Sequence, residues 1–405
     1  MGNSKKCSIR NLVTICVARW VLAISKGLRV GLYLSDISGA FDKVNRCLLI
    51  GKLAELGLPS SFLDFLNSYH LPREGYVSVE NASSSAMVLC DMVFQGTVLG
   101  PPLWNAFFGD VATQVPTGSQ IMNIFADDLN AEIQRSSSKN EESILQELRE
   151  IQTRTHHWGM QNQVTFDAGK EFFQIIHSTY PYGNDFKLLG SLIDCRLTMQ
   201  PCVEGILAKA RPKIRALLRL KHLYDTPTLI AQYKSHVWGI SEYSNGILIL
   251  ASESQRRRLD KMQRWFLHEL GISDTEAFIS HNFAPWSLRC RIAILGFIHK
   301  RILLQCHPAL IHALPLCQDQ SNRYHNKSLV THLDEVIRFD RLYFRSLYGY
   351  IHMYNRLSQN LVDLPSVSLF QAKLTHMAKY RAKNNEDRWR QSFMDCAEIL
   401  RQCHV

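Results

Sequence analysis

Apolar and polar positions along the chain follow a helical period in some stretches and a strand period in others. Residues 11–28 carry apolar side chains at helical spacing, and "VGLYLSDI" (30–37) is a mostly apolar strand ending on Asp36. "NRCLLIGKLAELG" returns to helical spacing and is stopped by Gly57 and Pro59. "SSFLDFLNSYH" predicts a second short helix with Ser60 or Ser61 as its cap. "REGYVSVENASSSAMVLC" alternates as a hairpin with its turn at Asn81 to Ser85. "GTVLGPPLWNAFFGDVATQV" predicts a helix entered through a glycine-rich bend, and "QIMNIFADDLNAEIQ" two strands joined by a tight turn at Asp127–Asp128. A long amphipathic helix follows in "NEESILQELREIQTRTHHWGMQ", then strands in "KEFFQIIH" and "FKLLGSLID". Beyond about residue 200 the pattern is almost entirely helical and has no internal repeat. The expected class is therefore α+β, with mixed structure before a boundary near 200 and helices after it.

Composition adds three limits. With 46% apolar and 20% charged residues over 405 positions, the chain is globular rather than disordered. A net charge of +10 favours a polyanionic partner, nucleic acid or acidic membrane. Eleven scattered cysteines without a secretory signal read as reduced thiols. The start "MGNSKKC" has Lys6 where a myristoylation signal wants Ser or Thr, so no lipid is expected. The apolar run from Leu12 to Ile24 is broken by Arg19 and is too short to span a bilayer. It is expected to be an amphipathic helix on the core, with no membrane partner.

The candidate chemistry sits at strand ends. "NIFADDLN" (123–130) leads apolar residues into two adjacent carboxylates, Asp127 and Asp128, which repel each other. Asp36 ends an earlier strand. Three such carboxylates brought together make a hard-oxygen site suited to Mg²⁺ and its phosphate ligands. Two such ions can stabilise the attacking and leaving oxygens of a phosphoryl transfer. An exposed hairpin turn and a helix cap would account for the same residues without any metal.

"SDISGAFDKV" (35–44), "FQGTVLGPPLWNAFF" (94–108) and "FADD" stand in the order of three successive motifs of reverse transcriptases, and resemble those of non-LTR retrotransposons. "WGMQNQVTFDAGKEFF" (158–173) resembles the fourth motif, with Lys170 at its lysine, and "FKLLGSLID" (186–194) the fifth, a hairpin that grips the primer end at Leu189 and Gly190. The resemblance implies a right-hand polymerase palm, a small antiparallel sheet backed by helices, over residues 1–200 with truncated fingers. A helical thumb (201–285) and a helical C-terminal region of unassigned role (286–405) would follow.

The resemblance also implies roles for single residues. Asp36 and Asp127 would be the principal ligands of two Mg²⁺ ions, or Mn²⁺ in their place, with Asp128 beside them and the Ile37 carbonyl completing the shell. Gly39 and Ala40 would turn backbone N–H groups to the incoming triphosphate, an approach that small residues permit. Phe41 would pack on the sugar and exclude a 2′-hydroxyl, favouring deoxynucleoside triphosphates. Gly96 would let the chain pass close to the nascent base pair and Gln95 would touch the incoming nucleotide, although Phe94 stands where the family usually has proline. Lys170 would donate a proton to departing pyrophosphate.

From Gly205 to Lys221 there are six lysines or arginines and no acid, interleaved with apolar residues. In the thumb position, Lys209, Lys213 and Arg215 would touch phosphates without reading sequence. "QRRRLDKMQRWF" (255–266) is a second basic helix; either helix could equally be a solvated face. The resemblance thus implies RNA-templated DNA synthesis from a DNA primer, in the nucleus rather than the cytoplasm. The alternative is an inactive nucleic-acid-binding remnant. Only 34 residues precede Ser35, so the fingers motifs that clamp the triphosphate, and an endonuclease, are expected to be missing.

Overall fold

The structure, a computed structural model, describes residues 9–89, 93, 96–114, 120–319, 324–336, 341–384, 386 and 388–393. The Met1–Cys7 lipidation stretch, Phe94 and Gln95 lie outside the described residues. In chain order, α1 (Ile9–Ser25) leads into β1 (Leu28–Ser35), followed by α2 (Arg46–Glu55) and α3 (Ser60–Tyr69). Four short strands come next: β2 (Arg73–Gly75), β3 (Ser78–Val79), β4 (Ala82–Ser83) and β5 (Met87–Leu89). Then come α4 (Gly100–Phe108), β6 (Gln120–Phe125), β7 (Asp128–Ser136), α5 (Glu141–Asn162) and β8 (Phe172–Ile176). The β9 (Phe186–Leu188) and β10 (Ser191–Ile193) hairpin precedes α6 (Gln200–Arg219), α7 (Thr226–Tyr233), α8 (Gly239–Glu242) and α9 (Asn245–Leu248). The remaining helices are α10 (Glu253–Glu269), α11 (Asp274–His281), α12 (Trp286–Ile302), α13 (Pro308–Ala313), α14 (Arg341–Arg345), α15 (Leu347–Tyr354), α16 (Gln359–Val362) and α17 (Val367–Lys383). This is a mixed fold with a small sheet, as the periodicities predict.

The chain divides into two compact units. One spans residues 29–175; the other joins residues 6–28 to everything from Ile176 onward. The division falls before the composition change near 200 because β10 packs with α6, leaving the β9–β10 hairpin in the helical unit.

In the first unit, the four-stranded sheet has the order β6-β7-β1-β8, with β6 and β7 antiparallel. Helix α5 presents Ile144, Leu148, Ile151 and Trp158 on one stripe, a helical repeat that buries against a core containing Tyr33, Ile133 and Ile175. Its start is fixed by Asn140, whose side chain accepts the Glu142 N–H, with Glu141 and Glu142 in the first turn. Helix α4 buries Trp104, Phe107 and Phe108 in the same core.

Four expectations shift. The turn in the 73–89 region falls at Glu80–Asn81, because Val79 pairs with Ala82 and Glu80 takes φ 52°. Helix α3 is preceded by Pro59, whose carbonyl accepts the Phe62 and Leu63 N–H groups; Ser60 and Ser61 lie inside the helix and do not cap it. The β6–β7 turn is Ala126–Asp127, one residue earlier than expected, since Phe125 pairs with Asp128. Helix α1 is buried around most of its circumference rather than on one face, with Trp20 and Val21 fully enclosed. Arg19 stays half-buried, directing a guanidinium nitrogen to the Cys16 sulfur at 3.6 Å.

Among its described residues, the second unit is helical apart from the β9–β10 hairpin, the end residues Leu28 of β1 and Ile176 of β8, and an isolated Leu316–Leu329 bridge. Among the described residues, no helix is long and apolar enough to cross a membrane.

Candidate active site

Strand β1 delivers Asp36 one residue past its end, where the backbone turns. The Asp36 Oδ1 accepts the N–H of Ile37 at 2.9 Å. The next residues are tied to a segment far along the chain. Ile37 bridges Phe166, Ser38 N–H donates to the Thr165 carbonyl, and Asp167 N–H donates to the Asp36 carbonyl. This stitch brings the 3₁₀ turn Ala168–Lys170 over the strand end, and Lys170 Nζ donates to Asp36 Oδ2 at 2.5 Å. Asp167 accepts the Gly169 N–H within that turn and lies 3.7 Å from Lys170. Lys170 is fully exposed, and its pKa is raised by the bond to Asp36.

The neighbouring hairpin brings the acidic pair. Ala126, the first of two loop residues, has φ 56°, a left-handed conformation that such loops ordinarily give to glycine. The strain is held by α4: Trp104 Nε1 donates to the Ala126 carbonyl at 2.9 Å, from a fully buried ring. Beneath the turn, Asn123 donates its side-chain amide to the Asn130 side chain at 3.0 Å, a buried cross-strand pair. The carboxyls behave as a crowded set. Burial raises the pKa of Asp127, repulsion from Asp36 adds to it, and a backbone hydrogen bond opposes both. Asp128 is pushed up to about 6, chiefly by burial and then by repulsion from Asp127 and Asp36.

A cleft of about 540 Å³ opens here, lined by Asp36, Ile37, Gly39, Ala40, Phe41, Gly96, Pro101, Asp127 and Lys170. Eight of these nine carry a role in the sequence reading, and they come from four separate segments. Gly39 has φ 67° ahead of the Ala40–Lys43 3₁₀ turn, a conformation that costs glycine nothing and turns the backbone into the cleft wall. Phe41 lines the cleft while its ring packs on Trp104, centroids 5.5 Å apart. Asp128 opens strand β7 beside the cleft and does not line it. Among the described residues, no three His, Cys, Asp or Glu side chains are already grouped as a metal site; Lys170 holds the Asp36 oxygen instead.

Two supporting residues escaped the sequence reading. Glu171 has a nearly buried side chain with four partners: it accepts from Tyr33 and Ser35, from Gln152 at 3.1 Å, and meets His156 at 2.8 Å. It anchors the segment after Lys170 to β1 and α5. Trp104 bridges the Phe41 ring and the Ala126 turn. Neither has a signal in the sequence beyond being next to, or within, a motif.

The remaining expected residues lie in the other unit. Leu189 and Gly190 form the two-residue β9–β10 turn with φ 48° and 81°, and Tyr243 donates its hydroxyl to the Leu189 carbonyl at 2.8 Å. Lys209, Lys213 and Arg215 are all exposed on α6, whose opposite face buries Ile206, Ala210 and Ile214.

Residues 12–175 match the reverse transcriptase (RNA-dependent DNA polymerase) family. The chain is 24% identical to the RNA-directed DNA polymerase from mobile element jockey of Drosophila funebris, over 66% of this chain and 30% of the relative. It is 26% identical to the probable RNA-directed DNA polymerase from transposon BS of Drosophila melanogaster, over 63% of this chain and 32% of the relative. Residues 12–175 are a reverse transcriptase domain. The chain spans about 30% of the length of the curated relatives it matches. A solved telomerase from Candida albicans, in complex with a telomeric RNA fragment, aligns over 68% of this chain and 52% of its own at 12% identity. Its TM-score of 0.35 carries no argument.

Proposed function

We propose that this reverse transcriptase domain is the palm of an RNA-directed DNA polymerase, extending a DNA primer on an RNA template with deoxynucleoside triphosphates. The carrying observation is the cleft: Asp36, Gly39, Ala40, Phe41, Gly96, Asp127 and Lys170 line one space although they span 134 residues of sequence. The donor set suits a hard divalent cation: burial, and then repulsion from Asp127 and Asp36, push Asp128 up to about 6, and such a set of carboxylates favours a nearby positive charge. Asp36, Asp127 and the Ile37 carbonyl would hold such ions, with Asp128 alongside. Bound there, Mg²⁺ would supply charge stabilisation of the attacking and leaving oxygens.

The chain's own residues do the rest. The Gly39–Ala40 backbone offers N–H groups to the triphosphate. Phe41, backed by Trp104, would pack on the sugar of the incoming nucleotide and exclude a ribose 2′-hydroxyl. Lys170 stays protonated beside Asp36 and would give up its proton to a leaving phosphate. The β9–β10 turn would grip the primer end, and Lys209, Lys213 and Arg215 on α6 would act as a thumb surface on duplex phosphates. The proposed compartment is the nucleus, on the resemblance alone.

Template–primer extension with Mg²⁺, beside an Asp127→Ala control, tests this reading together with duplex binding. Extension by the parent and loss in the variant, with duplex affinity retained, supports the polymerase. Duplex binding without any extension by either protein assigns the chain as a binding remnant.

A further inference from the structure

The helical unit holds a second charged cavity, of about 170 Å³, between α10, the start of α12 and the segment at Arg390. Five arginines and three acids line it. Two of these arginines are already matched at hydrogen-bond distance: Arg257 pairs with Glu253 at 2.7 Å and Arg390 with Asp274 at 3.1 Å. Three guanidinium groups then remain against one carboxylate, Asp260. Arg256 and Arg264 have no hydrogen-bonded or ion-paired partner among the described residues. Asp260 already accepts the Ser287 N–H at 3.0 Å.

Arg291 makes the surplus expensive. It is 5% exposed, and its Nη1 donates to two backbone carbonyls, of Arg390 at 2.9 Å and Ser392 at 3.0 Å. Its Nε is buried without a partner. A guanidinium keeps its charge in proteins, and taking such a charge out of water is costly unless an anion pairs with it. Here the direct partners are neutral carbonyls. Pro285 and Ser287 also line the cavity, so the N-terminal end of the 17-residue α12 adds its positive dipole to the same space.

We infer that this cavity is a binding site for a phosphate group, independent of the polymerase cleft and of the function proposed for it. A surplus of two positive charges matches the roughly −1.5 to −2 of a phosphomonoester at neutral pH. The volume is below the ~300–1,000 Å³ of sites that enclose drug-sized ligands. It therefore suits a phosphoryl group rather than a whole nucleotide. The group would belong either to a free phosphate or to a nucleic-acid end or backbone.

The test is thermal unfolding of the full chain with inorganic phosphate, against potassium chloride at equal ionic strength. At 100-fold excess over Kd a bound anion raises the midpoint by several degrees. Phosphate also stabilises proteins generally by exclusion from their surface. The decisive comparison is therefore with the Arg256→Gln/Arg264→Gln variant, which alters no buried side chain and should lose the extra rise while melting normally in chloride. Asp260→Asn, which removes the opposing charge and keeps an acceptor for Ser287, should bind phosphate at least severalfold more tightly. An identical phosphate response in parent and double variant, or no tightening in Asp260→Asn, overturns the site. The source is read from a labelled single-stranded RNA with and without a 5′-phosphate. Displacement of the RNA by inorganic phosphate in the parent, but not in the double variant, assigns the cavity to a nucleic-acid phosphate; binding of inorganic phosphate without competition assigns it to a free anion.

Discussion

In residues 29–175, two aspartates line the cleft with Asp128 beside it and one lysine to face them; in the cavity of the helical unit, three unmatched guanidinium groups sit beside one aspartate. Both carry more charge of one sign than their own partners neutralise. The cleft relieves its excess through protons: Asp128 is pushed up to about 6, so part of the negative charge can be discharged near neutral pH. The cavity has no such outlet, because burial lowers the Arg291 pKa from a starting point too high for deprotonation to follow. An acidic excess can thus adjust with pH, whereas an arginine excess persists until an anion comes. The protein's own charge should consequently change with pH in the first site and barely in the second.

The largest expected effect is on the acidic side. Asp36→Asn removes the partner of Lys170 and one of the two cleft carboxylates. Primer extension should fall on the order of 10²–10³-fold, the scale of losing one electrostatic stabiliser of a transition state. Extension at the parent rate would detach the cleft from the chemistry. Next, Trp104→Phe keeps an aromatic ring but leaves the Ala126 carbonyl without its donor, a loss of about 1–3 kcal/mol. The expected readouts are a lowered melting midpoint and slower extension with unchanged duplex affinity. Unchanged stability would mean the turn holds itself.

Asp128 gives the pH contrast. Its folded pKa of about 6 lies above its ordinary 3.8, so the fold favours the protonated acid. That contribution is complete below about pH 4 and is lost as pH rises through about 6. Asp128→Asn should therefore raise the melting midpoint at pH 7.5, on the order of a few degrees, and leave it unchanged at pH 4. Mg²⁺ should raise the parent's midpoint at pH 7.5 and a chelator should reverse it; equal midpoints in both would leave the acids without a cation. The smallest effect concerns α6, where Lys209, Lys213 and Arg215 changed together to Gln should flatten the dependence of log duplex affinity on log salt by roughly 0.7–0.9 per lost contact. An unaltered slope makes that surface a solvated face.

The two sites were unequally legible in the sequence. Asp36, Gly39, Ala40, Phe41 and Asp127 stand in short contiguous motifs, where chemistry and local backbone geometry are encoded together. Most elements were also readable, since α5 and β1 follow their periods closely. The misplaced turns have a common cause: Glu80 and Ala126 adopt left-handed backbone that turn rules reserve for glycine or asparagine. At Ala126 the stabilising partner, Trp104, is 22 residues away. Glu171 was missed because its four partners come from β1 and α5, not from its neighbours. The arginine cavity left only the basic run 255–266 as a local trace. Its residues run from Glu253 to Gln391, and an isolated basic helix looks the same whether it faces water or a cavity.

Helix α1 belongs to the unit completed last. It packs on α9, α13, α14 and α15, and so closely on α9 that a side chain at Gly246 would meet Thr14 at 2.1 Å. During synthesis this apolar helix emerges before the rest of its unit, and α15 emerges roughly 300 residues later, a delay on the order of tens of seconds at typical elongation rates. Residues 29–175 have all the partners of their own core well before then. The unit of residues 29–175 can thus close while Trp20 and Val21 still have no native partner. In the cell, the nascent chain would present this sticky apolar helix to chaperones during that interval.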